Sequence, residues 1–286
     1  MKKLTLLLLA LLYVTLTYAY TERDLLQKQA DINRLKEILV LDRQWVTYPD
    51  YNDRAGWDRF LGTFKDEYIR RGEKRLNYQW QVVKATDYLA FERTGNRQIM
   101  EKPFGANNGA IADLLMAELA EGKGRFVDQL INGVFNACEM TSWALAAHII
   151  VQPSHRALPA YDYPVIDLTS GDLGGLLAWT YHFMRPSFDK VDPEISRRLR
   201  HELQTRILDP YMNNDSFWWM GRNYNGRMLN NWNPWCNSNA LMCFMLLEDN
   251  RDTLAKAVHL TMESVDKFLN YIKADGACEE GHSYWG

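Results

Sequence analysis

Residues 230–239 read NNWNPWCNSN, with five asparagines and two tryptophans in ten positions, directly ahead of the apolar run ALMCFMLLE. Asparagine favours helix caps and turns, so part of this amide content can serve the helix that the apolar run predicts, Asn237 foremost. An amide can also donate to a carboxylate without carrying charge, and a carboxylate so held makes the neighbouring carbon-bound proton easier to remove. Trp232 and Trp235 would then offer ring faces to a ligand, although core packing explains them equally well. A second group is DGACEEGHSYWG, residues 275–286, which crowds Glu279, Glu280, His282 and Tyr284 into six positions after a turn signal. Such a loop is either simply solvated or a place where proton-transfer groups are held. Tyrosine is a weak base at its free pKa of about 10, so a catalytic Tyr284 would need nearby positive charge or hydrogen-bond donors.

Two further groups are weaker. In CEMTSWALAAH, residues 138–148, Glu139 and His148 stand nine positions apart. On one straight helix that spacing puts them on opposite faces, so they would not be partners. Glu139 could face a groove, and His148 reads as a core-satisfied histidine or a groove-lining one. In RNYNGR, Arg222 and Arg227 could hold an anionic substrate group or form surface ion pairs.

The elements that must position these residues read as helices. Amphipathic stretches run from Thr21 to Ile38, from Asp58 to Arg71, from Ala110 to Glu121 and from Gly124 to Ile150. A proline-rich loop covers 153–168. Helices follow at Gly171 to Met184 and Asp192 to Met212, then an aromatic loop over 213–236, then helices at Ser238 to Glu248 and Arg251 to Ala274. Strand-type alternation is nearly absent, and no repeat period of solenoid type is seen. Long helical hairpins with polar, aromatic loops on one side suggest an all-α fold, a helical toroid with a loop-lined groove.

The chain has 286 residues, 47% hydrophobic and 24% charged, enough to bury a large core. Its formal charge of −3 shows no basic stripe and argues against a nucleic-acid binder. The N-terminus MKKLTLLLLALLYVTLTYA has a basic start, a short apolar run and small residues at its end. It reads as a signal peptide over 1–19, leaving 20–286 as one helical domain, exported and without a membrane span. Cys138, Cys236, Cys243 and Cys278 show no metal-site spacing and read as buried thiols. Residues 1–286 stop at GHSYWG with no closing segment, which reads as a truncated chain.

Taken together, CEMTSWALAAH, SGDLGGLLAWTYHF, ILDPYMNNDSFWWMGRNYNGRMLNNWNPWCNSNAL and DGACEEGHSYWG resemble the heparinase II/III family of polysaccharide lyases. The resemblance begins near residue 125 and keeps the family order. It implies an incomplete (α/α) toroid followed by a β-sandwich domain, in the periplasm or cell envelope or secreted. The implied partner is an acidic, uronic-acid-containing glycan of the heparin or heparan sulfate kind, cleaved by β-elimination. By the same resemblance Tyr284 is the catalytic tyrosine and Asn231 the carboxylate-contacting residue, with Asn233 a competing register.

Glu139, His148, Arg222, Arg227, Glu280 and His282 would line or support the groove, and Trp232, Trp235 and Trp285 would be sugar platforms. No cofactor is implied in this chain. The structural zinc and the further catalytic histidine of some members belong to the later part of the family's pattern, and nothing in the spacing gives His282 that role. Two other readings stay open: a glycoside hydrolase on a helical toroid, pairing Glu139 with Glu279 or Glu280, and a non-catalytic glycan-binding module.

Overall fold

The computed structural model describes residues 22–223, 228–272, 276 and 282. Among them the fold is all-α, with no strand. In chain order the helices are α1 (Ile32–Ile38), α2 (Arg54–Leu61), α3 (Lys65–Glu73), α4 (Ala85–Thr94), α5 (Gln98–Glu121) and α6 (Val127–Cys138). Then come α7 (Leu168–Val191), α8 (Pro193–Leu203), α9 (Asp209–Asn213), α10 (Trp232–Leu247) and α11 (Arg251–Leu269). No helix among the described residues is long and apolar enough to cross a membrane.

Side-chain caps set many of the starts. Asp31, Asp53, Asp167, Asp192 and Asn250 each accept a backbone N–H from the first turn of the helix that follows, satisfying a donor that has no intrahelical partner. Gly95 and Gly122 close α4 and α5 in the left-handed region.

The helices pack in pairs: α5 against α3, α4 and α6, α7 against α8, and α10 against α11. One continuous core joins them, built from side chains such as Ile111, Leu130, Leu177, Leu199 and Phe244, each about 1% exposed or less. Burying each large aliphatic or aromatic side chain contributes roughly 1.5–3 kcal/mol against the entropy of ordering the chain.

The pairing of α7 with α10 positions the site. Gly171 and Gly175 face Asn239, and a Cβ on Gly174 would come within 2.9 Å of Ile207 Cγ1 and 3.6 Å of Cys243 Sγ. Small residues here let the two helices lie close. They run in the same direction: Asp172 meets Trp235 and Asn239 near the start of both, and farther along α7 Tyr181 and Arg185 share a cavity with Leu246 and Leu247.

Several expected boundaries move for identifiable reasons. The helix expected from Thr21 reduces to α1. Before it, Leu26 and Gln27 donate backbone N–H groups to the buried Asp266 carboxylate, and Arg23 caps the end of α11. The helix expected over Asp58 to Arg71 is broken at Gly62, where φ is 51°. Helix α4 went unexpected, and α5 starts at Gln98 rather than Ala110, carrying Pro103 inside it.

The helix expected from Gly124 to Ile150 stops at Cys138. Trp143 Nε1 donates to Ala137 O at 2.9 Å, and Tyr88 OH donates to Ser142 O at 2.8 Å, so residues 139–148 fold as side-chain-pinned turns. Glu139 and His148 therefore do not share a helix, and the opposite-face argument from their spacing does not apply. Finally, α10 begins at Trp232, six residues before the expected Ser238.

Cys138, Cys236 and Cys243 are free and buried, as their lack of motif spacing suggested. Burial pushes the Cys138 and Cys243 thiols up to about 12, which leaves them unreactive at neutral pH. Cys278 lies outside the described residues.

Candidate functional site

Asp167 ends the proline-rich loop and caps α7. Its carboxylate is fully buried; Oδ1 accepts from Ser170 N at 2.7 Å and Oδ2 from Leu145 N at 3.1 Å. Thr169 Oγ1 donates to it, and Ser170 Oγ accepts Asp167's own N–H, completing a capping box. Oδ2 also faces His148 Nδ1 at 2.7 Å. At the other end of the ring, His148 Nε2 lies 3.2 Å from Arg97 Nη2. A guanidinium can only donate, so Nε2 accepts and Nδ1 carries the proton given to Asp167. The ring is thus held between the Asp167 carboxylate and the Arg97 guanidinium. Arg97 in turn donates from Nε to Glu101 Oε1 at 2.5 Å.

Trp232, at the start of α10, meets this histidine. The two rings lie 4.7 Å apart, edge to face at 62°, and Trp218 adds a third ring 5.4 Å from Trp232. Trp218 is 43% exposed, whereas the His148 side chain is 14% exposed, so the outermost ring is open to a ligand and the histidine sits just behind. Asn231 occupies the cap position of α10 beside Trp232, with its backbone carbonyl accepting from Trp235 N. Trp235 is 44% exposed and anchors its indole N–H on Asp172 at 2.6 Å, leaving an open ring farther along the same helix.

The remaining amides of the stretch do other work. Asn233 is fully buried: its Nδ2 donates to Trp219 O at 2.7 Å and Ser264 O at 2.9 Å, which uses both amide hydrogens. It ties α10 to α11 and to the turn before it, and has no donor left for a substrate carboxylate. Asn237 is not a cap but an interior residue of α10. It donates to Ser264 Oγ and accepts from Tyr211 OH at 2.6 Å. Asn230 accepts Trp232 N, and Asn239 donates to Asp172. Of the two asparagines in the competing registers, Asn233 is buried and Asn231 is half-buried at the start of α10.

Other expected residues fall elsewhere. Arg222 is committed: it pairs with Asp215 and donates to Tyr211 O at 2.8 Å, which is the ion-pair reading of that arginine. Glu139 follows the last turn of α6, largely exposed, 3.6 Å from Arg198 in a separate network with Glu202 and Arg206. His282 is exposed. Arg227, Glu279, Glu280, Tyr284 and Trp285 lie outside the described residues.

Arg97, Asp167 and Trp218 went unnoticed in the sequence. The Asp167-Leu-Thr-Ser170 spacing is a capping-box signal that marks the carboxylate as buried and structured. Nothing local marks Arg97, which reaches His148 across 51 positions.

Compared with protein-family models and with curated proteins, the chain matches none. The functional reading therefore rests on the residues themselves. Among the described residues no group of three or more His, Cys, Asp or Glu side chains is arranged to hold a metal ion. What the cluster offers is two stacking faces, a cation, and an imidazole nitrogen whose lone pair is engaged only by that cation.

Proposed function

We propose that the chain is the helical part of a polysaccharide lyase of the heparinase II/III kind, a partial (α/α) toroid whose groove passes the start of α10. The observation that carries this is the convergence of His148, Arg97 and the Trp218–Trp232 pair beside Asn231. Exposed aromatic rings suit the apolar faces of sugars, and a guanidinium with a neutral amide suits a uronate carboxylate. Trp218, Trp232 and Asn231 lie in the stretches that carry the resemblance, and Arg97 reaches His148 from just before α5.

In this reading Asn231 donates to the uronate carboxylate and draws charge from it, making the C5 proton more acidic. Tyr284 takes that proton, the C4–O bond breaks, a C4=C5 double bond forms, and the departing oxygen receives a proton. No water enters. Arg97, moving from His148 to the incoming carboxylate, would add the second countercharge.

The experiment is to incubate the protein with heparin, heparan sulfate and other uronic-acid polymers and follow ultraviolet absorbance from the unsaturated product. The expected result is a rise that Tyr284→Phe abolishes and Asn231→Ala reduces at least tenfold. Saturated product ends in place of the absorbance rise would make the enzyme a hydrolase, and binding with no product of either kind would reduce it to a glycan-binding module.

A further inference from the structure

A cavity of about 310 Å3 opens at the far ends of α7 and α10, lined among others by Arg43, His182, Arg185, Arg200, Glu248 and Asp249. It lies about 20 Å from His148's end of α7 by helical rise. Three guanidinium groups reach it from three separate segments: the loop before α2, α7 and α8.

One of them is explained locally. Arg43 donates from Nε to Leu246 O at 2.9 Å and pairs with Asp249, so it caps the carbonyl end of α10, where a cation is favourable. Its backbone sits at φ 62°, a left-handed conformation unusual for a residue with a side chain, which the surrounding contacts must hold. The other two are not explained this way. Arg200 donates to the neutral Gln204 Oε1 at 2.7 Å. Arg185 touches Asp189 only at 3.4 Å and lies 5.6 Å over the Tyr181 ring.

A guanidinium has five N–H donors, so both keep donors to spare. Asp249 is paired with Arg43 and Asp189 stands 3.4 Å from Arg185, so among the groups that line the cavity Glu248 is the carboxylate left to oppose them, and its Oε1 already accepts from Asn250 N. The groups that line the cavity, three arginines against Glu248 and Asp249, leave one net positive charge, carried on planar donor forks suited to oxyanions. It is also far larger than a bare tetrahedral ion. Ligand pockets start at about 300 Å3, and here the Tyr181 ring with Leu246 and Leu247 supplies apolar wall for an organic group.

We propose that this cavity binds a sulfate or phosphate monoester of a sugar-sized molecule, with Arg185 and Arg200 holding the oxyanion and Tyr181 facing the ring that carries it. The site is separate from the Asn231 groove and does not depend on the lyase reading.

Isothermal titration calorimetry of the whole chain at low ionic strength tests it, using inorganic sulfate, inorganic phosphate, glucosamine 6-sulfate and glucose 6-phosphate. The expected result is saturable one-to-one binding, tighter for a sugar ester than for its inorganic ion, and at least tenfold weaker in an Arg185→Gln/Arg200→Gln double variant. Whichever ester binds more tightly identifies the group. Glu248→Gln should tighten binding, a gain that misfolding cannot mimic. Equal binding by wild type and double variant, or heats that never saturate, would overturn the proposal. No turnover is read, so the result is independent of any lyase assay.

Discussion

His148 and Asp167 stand nineteen residues apart in sequence and 2.7 Å apart in the fold, with the Asp167 carboxylate fully buried and the imidazole side chain 14% exposed. Asp167 serves two structures at once. It caps α7 and accepts Leu145 N, which shapes the turn that delivers His148, so the same carboxylate both places the ring and selects its tautomer.

That double duty predicts unequal mutational costs. Asp167→Ala removes a helix cap and leaves Leu145 N–H and His148 Nδ1–H without acceptors, for a loss of about 2–4 kcal/mol. His148→Ala should cost about 1–2 kcal/mol. Urea unfolding of both single variants and the double variant gives the coupling, expected at about 1 kcal/mol or more for residues in direct contact. Additive costs would show that the two side chains do not support each other.

Asn231 and Asn233, two positions apart, should respond oppositely. Asn233→Ala strips both amide donors from the buried carbonyls of Trp219 and Ser264 and should lower stability by about 2–4 kcal/mol in thermal or urea unfolding. Asn231→Ala, at the half-buried cap position, should cost less than about 1 kcal/mol while weakening glycan binding followed by tryptophan fluorescence. A large stability loss in Asn231→Ala would make it a structural amide like its neighbour.

Legibility in the sequence tracked how local each feature is. The all-α character was readable because helical periodicity is short-range, and NNWNPWCNSN drew attention because amides and rings are concentrated there. The division of labour within it was not: Ser264 and Trp219, which claim Asn233, come from other segments. The helix end at Cys138 was missed because Trp143, Leu145 and Ile149 are all buried, and buried turns keep an apolar pattern that imitates a helix. Tyr88 and Asp167, which pin that turn, are 54 and 22 positions from their partners. Arg97 had no local signature at all.

The close packing of α7 against residues 204–208, between α8 and α9, can be tested with one methyl group. A Cβ at Gly174 would lie 2.9 Å from Ile207 Cγ1, so Gly174→Ala should cost about 1–3 kcal/mol by overpacking. Ile207→Ala alone leaves a cavity and should cost about 2–4 kcal/mol. In the double variant the new methyl occupies part of the vacated space, and the combined cost in urea unfolding should fall well below the sum. Strict additivity would mean that α7 and this segment can separate freely there.

His182 connects the second cavity to pH. Burial, and then the Arg43 charge, hold its imidazole below the ordinary histidine value of about 6.5, with Asp50 opposing. Arg185, Arg200 and Glu248 line the same cavity. The unfolded chain therefore takes up this proton at a higher pH than the folded one. Stability contributed by the neutral ring is complete above about pH 6.5 and drains away as pH falls toward the folded pKa. His182→Gln cannot take up a proton, so between about pH 7.5 and pH 5.5 the wild type should lose more stability than the variant, read as midpoints of thermal unfolding at each pH. Parallel curves would show that the ring is as easily protonated in the fold as outside it. An occupied oxyanion site should reduce the difference, because bound negative charge beside His182 raises its pKa, and adding the ester at pH 5.5 measures that directly.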